Sequence, residues 1–397
     1  MGAPPDLVVN PFAFSVHEDP YAIYRRLRDE APAYWNPDLR FWALSRFEDV
    51  QAAFKAHDLF SSASGISLES RGGANPIPML ITTDPPDHTV MRKAVNRVFT
   101  PRKVAALEDA TRTIVSGYLD QVAGAGECDL VTDLTGPFPM DVISTVLGVP
   151  EADREKLRTW GDRLLLRDDG SMALPAEAVE GYVELIGYFA ADVAKRRAGE
   201  GEGLFTDLAA IDVDGRPLTD DELIGFCLLF ILAGHETTTK LVANAVELLS
   251  RHPDARRAII DQPDRIPDAL EEVLRFHTST QLMHRTATRD VEVHGEQIRA
   301  GDSVLLLIGA ANHDEREFGP TADEFDIDRR PERHLAFGYG AHYCLGAGLA
   351  RMEGRVALEE IHRRLPDYEV DHDAKTRFHS GNVTGWTSLP IRFTPTR

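Results

Sequence analysis

The stretch Phe337–Arg351, FGYGAHYCLGAGLAR, decides how this chain is read. Gly338 and Gly340 bracket a tight turn, because glycine takes positive φ at no steric cost. Gly346 and Gly348 allow close backbone approach just past Cys344, and an amphipathic helix is expected from Leu345 to Leu365. A cysteine at a helix N-terminus has its thiolate favoured by the helix dipole and by the free N–H groups there. Those N–H groups can also bond the sulfur and tune a metal that it holds. A soft thiolate suits iron. An isolated cysteine is more often a buried structural residue. That reading is kept for Cys128 and Cys227, whereas the glycine-rich setting of Cys344 reverses it.

The bulk numbers bound the rest. The chain has 397 residues, 43% of them hydrophobic, which is ample for a large core. Its formal charge of -21 argues against nucleic acid as a general partner. The three cysteines are too far apart in sequence to suggest a disulfide framework or a zinc-ligand pair, so a reducing cytoplasm is the expected setting. The first residues, MGAPPDLVVNPFAF, lack a basic segment followed by an apolar one, so neither a signal peptide nor a membrane anchor is expected. The longest apolar run, residues 223–234, is too short to span a bilayer. With no repeat, low-complexity tract or long linker, residues 1–397 are expected to form one domain.

Helix should exceed strand, giving a mainly α chain with a smaller β part (α+β). Residues 19–30 and 46–56 have helical patterns, and residues 33–45 read as a hairpin. Residues 61–84, rich in Ser, Gly and Pro, should be a long loop. Thr100-Pro101 is a helix start, and Thr219-Asp220-Asp221-Glu222 is a capping box. From that box a long apolar helix should run past Leu249. A helix is expected over residues 267–276, a small sheet over 290–308 and strands after Tyr368.

The Cys344 segment closely resembles the haem-binding signature of the bacterial soluble cytochromes P-450. Phe337, Gly338, Gly340, His342, Cys344, Leu345, Gly346, Leu349, Ala350 and Arg351 all fit it. Further signatures follow in the family's order, so the resemblance covers nearly the whole chain. It implies the family's fold, with haem b between the long central helix and the helix after the cysteine, and Cys344 as the axial ligand of the iron. In Glu272-Val273-Leu274-Arg275 the two charges share a helical face. The resemblance makes them, with Arg329, the support of the cysteine loop. In Ala233-Gly234-His235-Glu236-Thr237-Thr238, an acid and hydroxyls interrupt an apolar helix at a cost in burial. A bland account is that Thr237 bonds back to a carbonyl one turn earlier. The resemblance instead makes Glu236 and Thr237 the proton-delivering pair beside a loosened helix. It also implies that His88, Arg92, Arg285 and His334 hold the haem carboxylates, and that His342, Ala233, Gly234, Phe337, Gly338 and Gly346 are further haem-binding positions.

The same resemblance places the substrate pocket at Ile77, Met79, Leu80 and Ile81; Leu229 and Leu232; Gln281 and Leu282; and Trp386 with Thr387. Most of these are apolar, as suits a site that excludes water and holds an unactivated C–H bond. Gln281 and Thr387 are the candidates to orient a polar group. The loop after Arg275 lacks the proline common in bacterial relatives, which makes pocket shape near Leu282 hard to borrow. The implied activity is monooxygenation by O2 of a medium-sized hydrophobic molecule such as a steroid, terpenoid, fatty acid or polyketide. Electrons would come from a separate ferredoxin and its NAD(P)H reductase, docking near Lys93, Arg102, Lys103, Arg333 and Arg351. Alternatives are a peroxygenase, a phenol-coupling or desaturating oxidase, or a haem or ligand carrier; the intact Glu236-Thr237 pair argues against the peroxide route. Arg275→Ala is expected to yield protein without haem, and full haem occupancy in that variant would refute the assigned support role.

Overall fold

The computed structural model describes residues 4, 6–71, 77–213 and 215–396. Its organising element is the central helix, Asp220–Arg251. Thr219 Oγ1 accepts the Glu222 N–H at 3.2 Å, and the Glu222 carboxylate accepts the Thr219 N–H at 2.7 Å. This reciprocal cap fixes where the helix starts. Most side chains from Leu223 to Leu249 are then buried. A helix buried round most of its circumference must be covered on most sides. The helices Pro137–Leu147, Ala176–Arg197, Ile266–Phe276 and Ala347–Arg364 supply that cover. The helix is longer than its apolar run suggests, since it continues through His235 and Glu236. By length and composition it could cross a membrane, but 72% of its most apolar window is buried inside the protein.

The β part sits beside this helical mass. A five-stranded sheet has the order 33–36, 41–44, 303–306, 283–287, 60–61. The first two strands are the expected hairpin, with Ala33 opposite Leu44. Strand 303–306 pairs parallel to 41–44 and antiparallel to 283–287, placing Val304 opposite Arg285. The expected sheet over 290–308 is therefore divided. Residues 291–293 and 296–298 form a separate hairpin turning at His294 (φ 53) and Gly295 (φ 78), and Ile308–Ala311 is helical. In the expected loop 61–84, short 3-10 turns occur at Leu68–Ser70 and Leu80–Thr82, while 72–76 lie outside the described residues. Helix exceeds strand, as an α+β chain requires.

One contact sets how closely that loop approaches the central helix. A Cβ added at Gly225 would lie 1.9 Å from the Pro78 carbonyl oxygen and 3.4 Å from Ile77 Cγ2. Alanine is favoured over glycine in a helix by up to about 1 kcal/mol. A methyl group forced against backbone costs more, typically about 1–3 kcal/mol. Gly225→Ala is thus expected to destabilise the fold, read as a lower urea midpoint at unchanged slope; an unchanged or raised midpoint would show that the loop yields freely.

Candidate active site

Cys344 lies in the wall of a cavity of about 1440 Å³, including its open mouth. Its N–H donates to Phe337 O at 2.9 Å, closing the turn that Gly338 (φ 66) and Gly340 (φ 70) permit. Gly340 is doubly constrained, since a Cβ there would stand 2.8 Å from the Phe54 carbonyl oxygen. Burial raises the Cys344 thiol, and the amides of Gly346 and Ala347, with Arg92 and Arg351, offset this only in part. The amides at the helix N-terminus therefore do not by themselves outweigh burial at this sulfur.

Three of the four residues expected to hold carboxylates, His88, Arg92 and Arg285, meet at this cavity together with His342. The His88 and His342 rings are 4.3 Å apart. Burial, then Arg285, His88 and Arg92, push His342 down to about 3. Burial brings Arg285 down to about 10, with Asp84 opposing. The buried His88 Nε2 has no partner. Asp84 is already engaged, accepting from the Ser61 hydroxyl and from the Ser62 N–H. Two guanidiniums, Arg92 and Arg285, beside an orphaned buried imidazole nitrogen call for anionic partners. The expected fourth member, His334, is not in the cavity wall. Its Nε2 donates to Glu271 at 3.0 Å and its Nδ1 accepts the Ala336 N–H at 3.2 Å, so a neighbouring carboxylate captures it first.

The central helix presents Phe226, Leu229, Phe230, Ala233, Gly234, Thr237, Thr238 and Leu241 to the cavity, a stripe repeating every three to four residues. Ala233 and Gly234 have little or no side chain, which leaves a slot; a Cβ on Gly234 would press on Ile143 at 3.2 Å. Thr237 Oγ1 donates to Ala233 O at 2.6 Å, and the helix runs on unbroken rather than loosening. Glu236, one residue out of phase with the stripe, does not line the cavity. Its carboxylate meets Lys240 Nζ at 2.7 Å, and Lys240 also donates to Trp386 O at 2.8 Å. Burial works to raise the Glu236 carboxyl, but Lys240 and His235 outweigh it and hold it below the ordinary range.

The structure brings Glu272, Arg275 and Arg329 together. Arg275 Nε and Nη2 donate to the Glu272 carboxylate at 2.8 and 2.7 Å, and Arg329 Nε donates to Glu272 Oε1 at 3.2 Å. The remaining Arg275 donors reach the carbonyls of Asn312, Ala322 and Glu324. The link to the cysteine loop is Asn312, whose side-chain oxygen accepts the Leu335 N–H at 2.7 Å. Nothing in the sequence marks Asn312.

The expected substrate lining is redrawn. Leu80, Ile81 and Leu229 line the cavity. Ile77 packs instead toward Gly225, and the Met79 carbonyl is taken up by its own turn. Leu232 falls off the helix stripe. Gln281 turns away, with Nε2 donating to Thr278 O at 2.8 Å, and Leu282 joins an apolar cluster behind the loop. Trp386 is buried beneath Lys375 and Arg377, each 4.0 Å from its ring centroid, and Thr387 is exposed. Their places are taken by Phe99, Phe230 and Leu274, with Thr278, Ser279 and Thr280 supplying polarity. Glu353, also in the wall, was missed too. It is buried with one oxygen unpartnered, and burial pushes its carboxyl well above the ordinary value. A slot between short side chains, a thiol in its wall and a carboxylate-seeking group of guanidiniums and imidazoles together fit a flat apolar ring bearing two carboxylates, as haem b is.

Comparison with known proteins points the same way. The sequence profile of the family "Cytochrome P450" matches residues 204–377. The chain is 41% identical to a putative cytochrome P450 123 of Mycobacterium tuberculosis, over 98% of this chain and 97% of that protein. It is similar in structure to cytochrome P450 CYP109Q5 from Chondromyces apiculatus, with TM-score 0.89, 32% identity, and 98% and 99% of the two chains covered. CYP109E1 from Bacillus megaterium, solved in complex with testosterone, also superposes with TM-score 0.89, at 30% identity over 96% of this chain and 99% of that one.

Proposed function

The chain belongs to the cytochrome P450 family and is a P450 monooxygenase; from this we propose that it inserts one atom of O2 into a medium-sized hydrophobic molecule, steroids being the first class to test. The observation that carries the reading is one cavity shared by Cys344, Thr237, the guanidiniums of Arg92 and Arg285 and the imidazoles of His88 and His342. Haem b, which the family implies, supplies there the iron that activates dioxygen. Cys344 would be its axial ligand. His88, Arg92, Arg285 and His342 would hold its carboxylates, and Ala233, Gly234, Phe337, Gly338 and Gly346 would face its ring.

The protein's own groups divide the remaining work. Leu80, Ile81, Leu229, Phe230 and Leu274 exclude water and hold an apolar substrate. The hydroxyl-bearing run Thr278–Thr280 takes the orienting role expected of Gln281 and Thr387. Thr237 gives its hydroxyl proton to Ala233 O, so its oxygen lone pairs remain to accept a hydrogen bond from a water in the cavity. Glu236 is held ionised behind it by Lys240. It is thus a proton acceptor first, and becomes a donor only after taking a proton and leaving Lys240. The steroid choice rests on the lining and on the testosterone complex of the similar CYP109E1.

Electrons are assigned to a separate ferredoxin with its NAD(P)H reductase. On the expected docking face, Lys103 pairs with Asp207, Arg333 with Glu317 and Arg351 with Glu271, so an acidic partner competes with carboxylates already in place. The free thiols Cys128, Cys227 and Cys344 fit a reducing cytoplasm.

The decisive test is the visible spectrum of the reduced protein with carbon monoxide. A strongly red-shifted Soret band, lost in Cys344→Ala, is expected; a histidine-type spectrum would overturn the reading. In Thr237→Ala, product formed per NAD(P)H consumed should fall by about tenfold, short of the full general acid contribution of roughly 10²–10⁴. Undiminished coupling would remove Thr237 from proton delivery.

A further inference from the structure

Glu271 adjoins Glu272, yet it serves a different part of the molecule. Successive helical residues point about 100° apart, so one carboxylate meets Arg275 and Arg329 while the other meets the cysteine segment. Glu271 Oε1 accepts from Arg351 Nε at 2.6 Å, and Oε2 accepts from Arg351 Nη2 at 2.9 Å, a bidentate fork. Oε2 also accepts the His334 Nε2–H at 3.0 Å, with His334 Nδ1 taking the Ala336 N–H at 3.2 Å. The Arg351 guanidinium lies 4.5 Å from the Phe337 ring centroid and donates to the Tyr343 hydroxyl at 3.3 Å. Phe337 O in turn accepts the Cys344 N–H at 2.9 Å. One carboxylate thereby gathers His334, Phe337 and Tyr343 of the loop together with Arg351 of the helix that follows it.

We propose that Glu271 is a positioning residue for Cys344, fixing the cysteine loop through His334 and Arg351 and cancelling the Arg351 charge beside the sulfur. The proposal rests on the reading of Cys344 as the haem ligand. The competing account is an ordinary half-exposed ion pair. Glu271 and Arg351 are 28% and 36% exposed, and such pairs often contribute little. An ordinary pair would leave the sulfur unaffected. Two independent bonds from separate segments onto one carboxylate, and a guanidinium stacked on the ring whose carbonyl holds the cysteine, favour the positioning role.

The sign of the electrostatic effect is fixed. Removing the Glu271 charge leaves Arg351 uncompensated near the sulfur, and added positive charge favours the reduced state of the iron, which carries one more electron. The test uses substrate-free holoenzyme and two readouts: the haem reduction potential, and the rate at which the red-shifted carbon monoxide band is lost on mild heating. Glu271→Gln should move the potential in the positive direction and speed loss of the band about tenfold, the kinetic equivalent of one charge-assisted hydrogen bond. The double variant E271Q/R351Q should bring the potential back toward wild type, because the uncompensated charge has gone, while the band remains short-lived. A wild-type potential and a wild-type band lifetime in Glu271→Gln would overturn the proposal. Should that variant fail to take up haem, Glu271→Asp keeps the charge with a shorter reach. A normal potential with faster band loss there supports the proposal, and an unchanged lifetime overturns it. Absence of the red-shifted band in the wild-type protein would instead reject the haem-ligand reading itself.

Discussion

The contact on which the site depends is the buried pair Glu272–Arg275, both side chains fully inaccessible. Two charges taken out of water are costly, and their mutual attraction repays that only if the remaining donors and acceptors are satisfied. Here they are. Besides Arg275, Glu272 accepts from Arg329 and from the Asp326 N–H, and Arg275 spends its other donors on the carbonyls of residues 312, 322 and 324. The pair thereby ties a helix to a long irregular segment that has little secondary structure of its own. Asn312 passes the constraint on by holding Leu335, at the start of the cysteine loop. Cys344 is placed from a distance by a network that never touches it.

The central helix supplies the facing constraint through phase alone. Residues 226, 230, 233, 237 and 241 fall on the cavity side, and the small pair Ala233-Gly234 leaves the slot that larger residues would fill. Moving one residue along, from Thr237 to Glu236, leads out of the cavity and into a cluster with Lys240, His235 and Asp162. Lys240 then ties that acid to the C-terminal hairpin through Trp386 O. Glu236 and Thr237, the pair proposed to handle protons, are thus split between two environments by a single helical step.

This explains which parts were legible in the sequence. The capping box at Thr219, the Glu272-Arg275 spacing and the glycines around Cys344 are local codes, and each has one low-cost conformation. The carboxylate-holding residues were read from similarity to a family, and three of the four converge because helix and sheet geometry are rigid. His334 escaped, since its partner Glu271 comes from a different element and outcompetes any other contact. The pocket lining was harder still. Whether Gln281 or Thr280 faces the cavity depends on how the loop pairs with the C-terminal hairpin. There the Gln281 N–H donates to Asn382 O and Thr280 bridges to Val383. A one-residue difference in that pairing exchanges the two faces, and no local pattern specifies it.

Two buried acids show how far environment, rather than residue type, sets chemistry here. Glu236 and Glu353 are both almost inaccessible, at 5% and 1% exposure. Burial pushes both upward. For Glu353 no other cause opposes it, and burial raises the carboxyl in the cavity wall. For Glu236 the Lys240 ammonium at 2.7 Å and the nearby His235 reverse the outcome, and the group is charged outside the wall. The arrangement therefore keeps full negative charge away from the apolar slot while storing it within one helical position of Thr237. A charged carboxylate inside the slot would be solvated poorly and would draw in water; one displaced by a residue and paired with an ammonium avoids both costs. Separating the acid from the cavity and pairing it are thus one solution to one problem: holding an ionised group ready beside a site that must stay dry.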